Sequence, residues 1–234
     1  MAAVILGSRS SSEFAEVPAG IGGGWDGFRG TPRLVRSFQY QDNESPKADE
    51  ILDKRGIFFD KNRSVDITTS VTGTFTTEGW AVYKYTNLQS NGEPGKNTTF
   101  PDTDFPMFRL GDVYLMYAEA VARGGEGGDL ATAVNYINAL RERAYGDTYH
   151  NITESWLLEN NLQNILDERC RELYWEGVRR TDLIRFGLYT SPNYLWTFKG
   201  GVLNGVGVDS RYNVFPIPTT DMSVNGNLKQ NEGY

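Results

Sequence analysis

The stretch from Phe108 to Phe186 restricts this chain more than any other. It opens with Arg109-Leu-Gly-Asp-Val-Tyr-Leu-Met-Tyr-Ala-Glu-Ala-Val-Ala-Arg123, where apolar side chains recur at Leu110, Val113, Tyr114, Tyr117, Ala118 and Val121. That recurrence is the spacing of a helix with one buried face. Glycines at 124, 125, 127 and 128 interrupt the pattern. A second periodic segment follows through Leu130, Val134, Ile137 and Leu140 and ends near Ala144. A third, from about Trp156, carries Leu162, Ile165, Leu166, Cys170, Leu173 and Tyr174, and leads into Glu176-Gly-Val-Arg-Arg-Thr-Asp-Leu-Ile-Arg-Phe-Gly187. Helices of this length rarely bury an apolar face alone, so they stack on one another or on something outside the chain.

Leu110, Gly111 and Tyr114 fit the first helix of a tetratricopeptide repeat, and Ala133 with Ile137 fits the second. The turn between them is about ten residues longer than the ~34-residue repeat allows. Gly111 would let two helices approach closely, and Tyr114 would plug the gap between neighbours. This pattern specifies a helical hairpin and says nothing about ligand.

With 234 residues the chain can bury a sizeable core, as one large domain or two small ones. Its formal net charge of −7 argues against a nucleic-acid partner. One cysteine, Cys170, permits no internal disulfide and reads as core filling. The single histidine, His150, has no second His or Cys to share a zinc ion, so no metal or cofactor is expected. No run approaches the ~20 apolar residues of a membrane helix. The opening Met1-Ala-Ala-Val-Ile-Leu-Gly7 lacks the length and basic flank of a signal peptide and reads as a short strand, Ala3 to Leu6.

Before the helical block the chain is irregular. Thr31-Pro32 looks like an N-cap and first helical position, followed by the apolar Leu34, Val35 and Phe38. Asp53 to Phe59 joins a charged turn to an apolar strand. From Ser64 to Asn87 the period becomes two, with Thr, Val and aromatic residues, which predicts a small antiparallel hairpin or sheet. The tail from Tyr212 has no period and is expected to be extended, packed on the helices through Val214, Phe215, Ile217 and Leu228.

Gly22, Gly24 and Gly27 formally satisfy G-x-G-x-x-G, but Pro18 separates them from the preceding strand, so a dinucleotide fingerprint lacks its context. The stretch reads better as a loop holding Trp25 and Phe28. Sugar recognition needs an aromatic face for the C–H side of a pyranose and fixed polar groups for its hydroxyls. Trp25, Asp26, Phe28 and Arg29 are the first cluster with that composition; Tyr194 and Trp196, with Phe198, are the second. Aromatic residues usually bury most of their surface, which favours a packing role for both clusters as the alternative. Glu168, Glu172 and Glu176 fall on one helix face, with Arg171, Arg179 and Arg180 three or four residues away. Mutual neutralisation on a helix surface accounts for that run, and Asp182 with Arg185 repeats it. Nothing in the pattern indicates the facing carboxylates that a glycosidase needs.

The order of segments is more specific than any one of them. Arg109 to Ala120, Ile137-Asn-Ala-Leu-Arg-Glu-Arg-Ala144, Ile165-Leu-Asp-Glu-Arg-Cys-Arg-Glu-Leu-Tyr-Trp-Glu-Gly177, Arg180-Thr-Asp-Leu-Ile-Arg-Phe-Gly187, Phe215-Pro-Ile-Pro218 and Asn227 to Tyr234 together resemble the SusD/RagB family of Bacteroidetes outer-membrane nutrient-binding lipoproteins. The resemblance is close over residues 106–234 and looser before them. Gly226 and Glu232 stand where the family commonly has proline. Family members are usually much longer, so the chain looks like a carboxy-terminal portion.

The resemblance implies a mainly α fold, with tetratricopeptide-like helical hairpins and an irregular loop-rich lobe containing a small antiparallel β hairpin. Residues 1–105 would form the lobe, and 106–234 the helical domain with its extended tail. It further implies non-catalytic glycan binding at the cell surface, delivery to a SusC-like TonB-dependent outer-membrane transporter, and membrane attachment only through a lipid anchor missing from this chain. A glycoside hydrolase and a helical-repeat scaffold for protein contacts are the alternative functions.

Overall fold

A computed structural model describes residues 20, 28–69, 74–101 and 103–234. The expected opening strand, the G-x-G-x-x-G stretch, Trp25 and Asp26 lie outside the described residues. The chain divides into two compact units, residues 1–178 and 179–234.

Among the described residues the first unit contains five α-helices. α1 (Pro32–Val35) begins as its sequence predicts: Thr31 Oγ1 accepts from the Leu34 N–H at 3.3 Å, and proline occupies the first turn, where no donor is needed. α2 (Leu110–Ala122) and α3 (Leu130–Tyr145) form the expected hairpin. Asp129 caps α3 by accepting from Thr132 N at 2.8 Å, and Gly146 ends it with φ of 82°, a left-handed conformation that suits glycine. The third expected helix is broken in two. α4 (Glu154–Leu158) is short, and Asn160, Asn161 and Leu162 all take positive φ before α5 (Gln163–Leu173) resumes. A lone asparagine tolerates this region, but three such residues in a row end a right-handed helix.

Leu115, Ala118, Ile137, Leu140, Leu157, Ile165 and Leu173 make the core between these helices. α2 buries much of the side its period suggests, with Ala118 in the core and Tyr114, Tyr117 and Val121 packed against it, but departs from it elsewhere. Leu110 and Val113 are exposed together with Met116, whereas Gly111, Leu115, Ala118 and Glu119 are buried. The helix is apolar around most of its circumference, so periodicity alone does not select the inner face. Tyr114 does fill the gap: it stacks on Tyr136 of α3 with ring centroids 4.2 Å apart and planes within 3°, and Tyr117 meets the same ring edge-on.

The lobe has its own aromatic core of Val35, Phe38, Tyr40, Phe58, Trp80 and Val82, joined to the helices by Tyr174 at the end of α5. Tyr174 packs edge-on against Phe38 at 5.6 Å, and its hydroxyl donates to the Arg55 carbonyl at 2.6 Å. The antiparallel sheet pairs β1 (Phe58–Phe59) with β2 (Ala81–Val82). β2 lies in the segment with period two, but its partner is upstream of that segment. Between the strands, buried Arg63 donates to the carbonyls of Phe75 (2.5 Å) and Gly79 (3.0 Å). The guanidinium thus takes acceptors that a longer ladder would have used.

The second unit contains α6 (Arg179–Arg185), a long loop and α7 (Thr219–Val224). Lys199, 2% exposed, organises the loop: its ammonium donates to the carbonyls of Ser191 (2.6 Å) and Tyr194 (2.7 Å) and lies 4.7 Å from the Trp196 ring centroid. The tail is not wholly extended, since α7 follows Pro218, and Val214 and Phe215 are exposed. Gln230 holds the tail by a two-way amide contact, accepting from Ile217 N at 2.8 Å and donating to Ile217 O at 2.9 Å. Among the described residues no helix is long and apolar enough to cross a membrane.

Candidate functional site

The acidic face of α5 is densely charged, and it is buried. Glu168 is fully enclosed and accepts from Arg55 (2.7 Å), Arg141 (2.8 Å) and Arg171 (2.6 Å). Glu172 accepts from Arg109 (2.5 Å), Arg143 (2.6 Å) and Arg55 (3.2 Å). Glu176 accepts from Arg109 at 2.6 Å and from Lys84. The expected neutralisation is present, with two differences. The face is interior rather than solvated, and most of its cations come from other elements; Arg171 is the member of the expected local set found on Glu168. Arg179 donates to the Tyr194 hydroxyl and Arg180 to the Tyr212 carbonyl. Asp182 and Arg185 do pair, at 2.8 Å. Arg55 lies 113 positions from Glu168, a separation for which helical spacing carries no signal.

This arrangement fixes the protonation of the carboxylates. Burial pushes the Glu168 carboxyl up, but Arg171, Arg55 and Arg141 outweigh it and hold it far below the usual range. For Glu172, burial is likewise overcome by hydrogen bonds from Arg143 and Arg109 and by the charge of Arg55, which leave its pKa at about 2. Burial pushes the Lys84 ammonium down, partly offset by Glu176. A general acid must hold a proton near neutral pH, and a nucleophile must reach substrate. Glu168 and Glu172 are ionised, enclosed and fully engaged. They are therefore structural.

The two aromatic clusters fall in different units. In the first unit, Phe28 is half-exposed and meets Trp175 edge-on at 6.2 Å. Arg29 holds the neighbouring turn, donating to the carbonyls of Glu78 and Thr69 (both 3.3 Å) and covering the Phe75 ring at 4.5 Å. In the second unit, Tyr194 is buried, with its carbonyl on Lys199 and its hydroxyl on Arg179. Trp196 is partly exposed and lies against Tyr189, ring centroids 5.9 Å apart. Among the described residues, the first cluster offers the ring of Phe28 and the second those of Trp196 and Phe198, each beside a residue that fixes the local backbone. His150 stacks on Tyr145 at 3.9 Å and contacts Asp147 at 3.0 Å. Among the described residues no group of His, Cys, Asp or Glu could hold a metal ion.

The profile of the SusD family matches residues 60–234. The starch-binding protein SusD of Bacteroides thetaiotaomicron is 46% identical over 159 residues, covering 68% of this chain and 26% of that protein. A SusD-like protein of Formosa agariphila is 33% identical over 132 residues, covering 55% and 24%. The chain thus spans about a quarter of the length of the curated relatives it matches. A SusD-like protein from Bacteroides fragilis, known from its crystal structure, superposes over 98% of this chain and 51% of its own with a TM-score of 0.62 at 19% identity, a likeness of fold. The chain belongs to the SusD/RagB family.

Proposed function

We propose that this protein binds glycans without cleaving them, at the cell surface, and hands them to a SusC-like TonB-dependent transporter in the outer membrane. The observation that carries this reading is the 46% identity, over 159 residues, to a protein whose name records starch binding. Occupied carboxylates on α5 are consistent with binding in place of hydrolysis, since Glu168 and Glu172 are bound up in arginine contacts. In this reading Phe28 and Trp196 offer the ring faces, with Trp25 and Asp26 beside the first of them in sequence. Arg29 and Tyr194 act by holding those rings in place. Attachment to the membrane, in this reading, is through a lipid anchor.

The test is affinity electrophoresis in gels containing soluble starch or other polysaccharides. Phe28→Ala and Trp196→Ala are expected to lose the retardation of the parent protein by about tenfold in apparent affinity, the scale of one stacked ring, with unchanged melting temperature. A parent protein retarded by no polysaccharide would refute the reading. Variants that bind as the parent does would remove these residues from the site.

A further inference from the structure

The first unit contains a polar pocket of about 360 Å3 that none of the residues discussed as a glycan site lines. Gln39 and Asn43, after α1, form one side. Arg141 of α3, Trp156 of α4, and Asn164 and Asp167 of α5 form the others. Its volume is at the small end of ligand pockets, roughly 300–1,000 Å3.

Charge restricts what the pocket can hold. Arg171, also in its wall, donates to Ser37 O at 3.0 Å and to Glu168 at 2.6 Å. Arg141 donates to His150 O at 2.5 Å and to Glu168 at 2.8 Å. Both guanidinium ions are thus engaged with protein acceptors, although the buried Arg171 Nε has no hydrogen-bond partner among the described residues and approaches Asp53 only to 3.9 Å. Glu168 behind them and Asp167 in the wall balance their charge, so the pocket has no surplus to attract an anion. What remains available is neutral amide and carboxylate hydrogen bonding. Asn43 Oδ1 accepts from Tyr40 N at 3.0 Å, and Gln39 Oε1 from the Tyr145 hydroxyl at 3.4 Å, which leaves both amide NH2 groups without a partner among the described residues. Asp167 Oδ1 accepts from Gln163 at 2.9 Å, leaving its second oxygen in the same state. Two amide donors and a carboxylate acceptor suit vicinal hydroxyls, which both donate and accept. The half-buried Trp156 supplies an aromatic wall for an apolar C–H face.

We infer that this pocket is a second carbohydrate site, for a neutral mono- or disaccharide unit, separate from the rings of Phe28 and Trp196. The inference rests on the glycan-binding reading above and adds to it a site that recognises hydroxyls more than ring faces.

The test is residue-resolved NMR of the full chain titrated with maltose, cellobiose and lactose, and with glucuronate as the anionic control. At least one neutral disaccharide is expected to shift the amides of residues 37–43 and 164–171, with glucuronate weaker. Trp156 also packs on the helical core, so its removal could unfold the unit. Asp167→Ala and Gln39→Ala are the informative variants. Together they should weaken the response at these amides about tenfold, the effect of losing two net hydrogen bonds, and leave the response near Trp196 unchanged. Shifts confined to the surroundings of Phe28 or Trp196 would overturn the pocket and leave the general reading standing. No shift anywhere, with these sugars or with longer glycans, would overturn both. A stronger response to glucuronate would overturn the assignment to neutral sugars.

Discussion

Glu168 has no solvent contact and is held by Arg55, Arg141 and Arg171. Removing one member of a buried ion cluster strands the others without compensation, which typically destabilises by about 3–5 kcal/mol. Glu168→Ala should therefore lower stability by that order in a urea titration. Glu172 makes the related prediction for pH. Its pKa is lowered from 4.5 to about 2 in the folded protein. The folded state therefore binds that proton less readily than the unfolded chain. The stability it confers is present above pH 4.5 and is lost progressively as pH falls towards 2. Arg143 is half-exposed, so solvent screens part of that pair, and Arg109 and Arg55 supply the rest. Glu172→Gln should flatten the acid limb of a stability–pH profile; a limb as steep as the parent's would assign acid sensitivity to other groups.

At the scale of elements, α2 and α5 approach closely because Gly111 faces the charged lattice. A Cβ there would lie 2.5 Å from Arg109 Nη1 and 2.8 Å from Glu172 Oε1. Alanine would gain up to about 1 kcal/mol of helix propensity, but crowding two committed side chains costs about 1–3 kcal/mol. Gly111→Ala is thus expected to lower the melting temperature, and a rise would show that the lattice yields freely. The sequence discloses α2 and α3 through their period and α1 through its Thr-Pro start. It misplaces part of the inner face of α2, because Leu110 and Val113, which are exposed, are as apolar as the buried Leu115. The break between α4 and α5 is hidden because Asn160 and Asn161 do not by themselves force a left-handed turn. β1 is paired with β2 by contacts distant in sequence, as are the cations of the lattice, and no local pattern records either. Tyr194 and Trp196 stand out by composition, yet only Lys199, an ordinary charge in the sequence, shows how their loop is held.

For the whole molecule, the proposed function requires a helical frame that displays glycan-recognition surfaces and cleaves nothing they hold. In the first unit, the ionised face of α5 braces helices and lobe together; in the second, a loop pinned by Lys199 carries aromatic rings. This division of labour leaves Glu168 and Glu172 engaged by arginines and unavailable as acid or base. Isothermal titration of the full chain with starch-derived and other oligosaccharides, followed by analysis of the same mixture for new reducing ends, tests it most directly. The account predicts heat of binding with at least one glycan and no release of shorter products. New reducing ends, or no heat with any glycan, would contradict it.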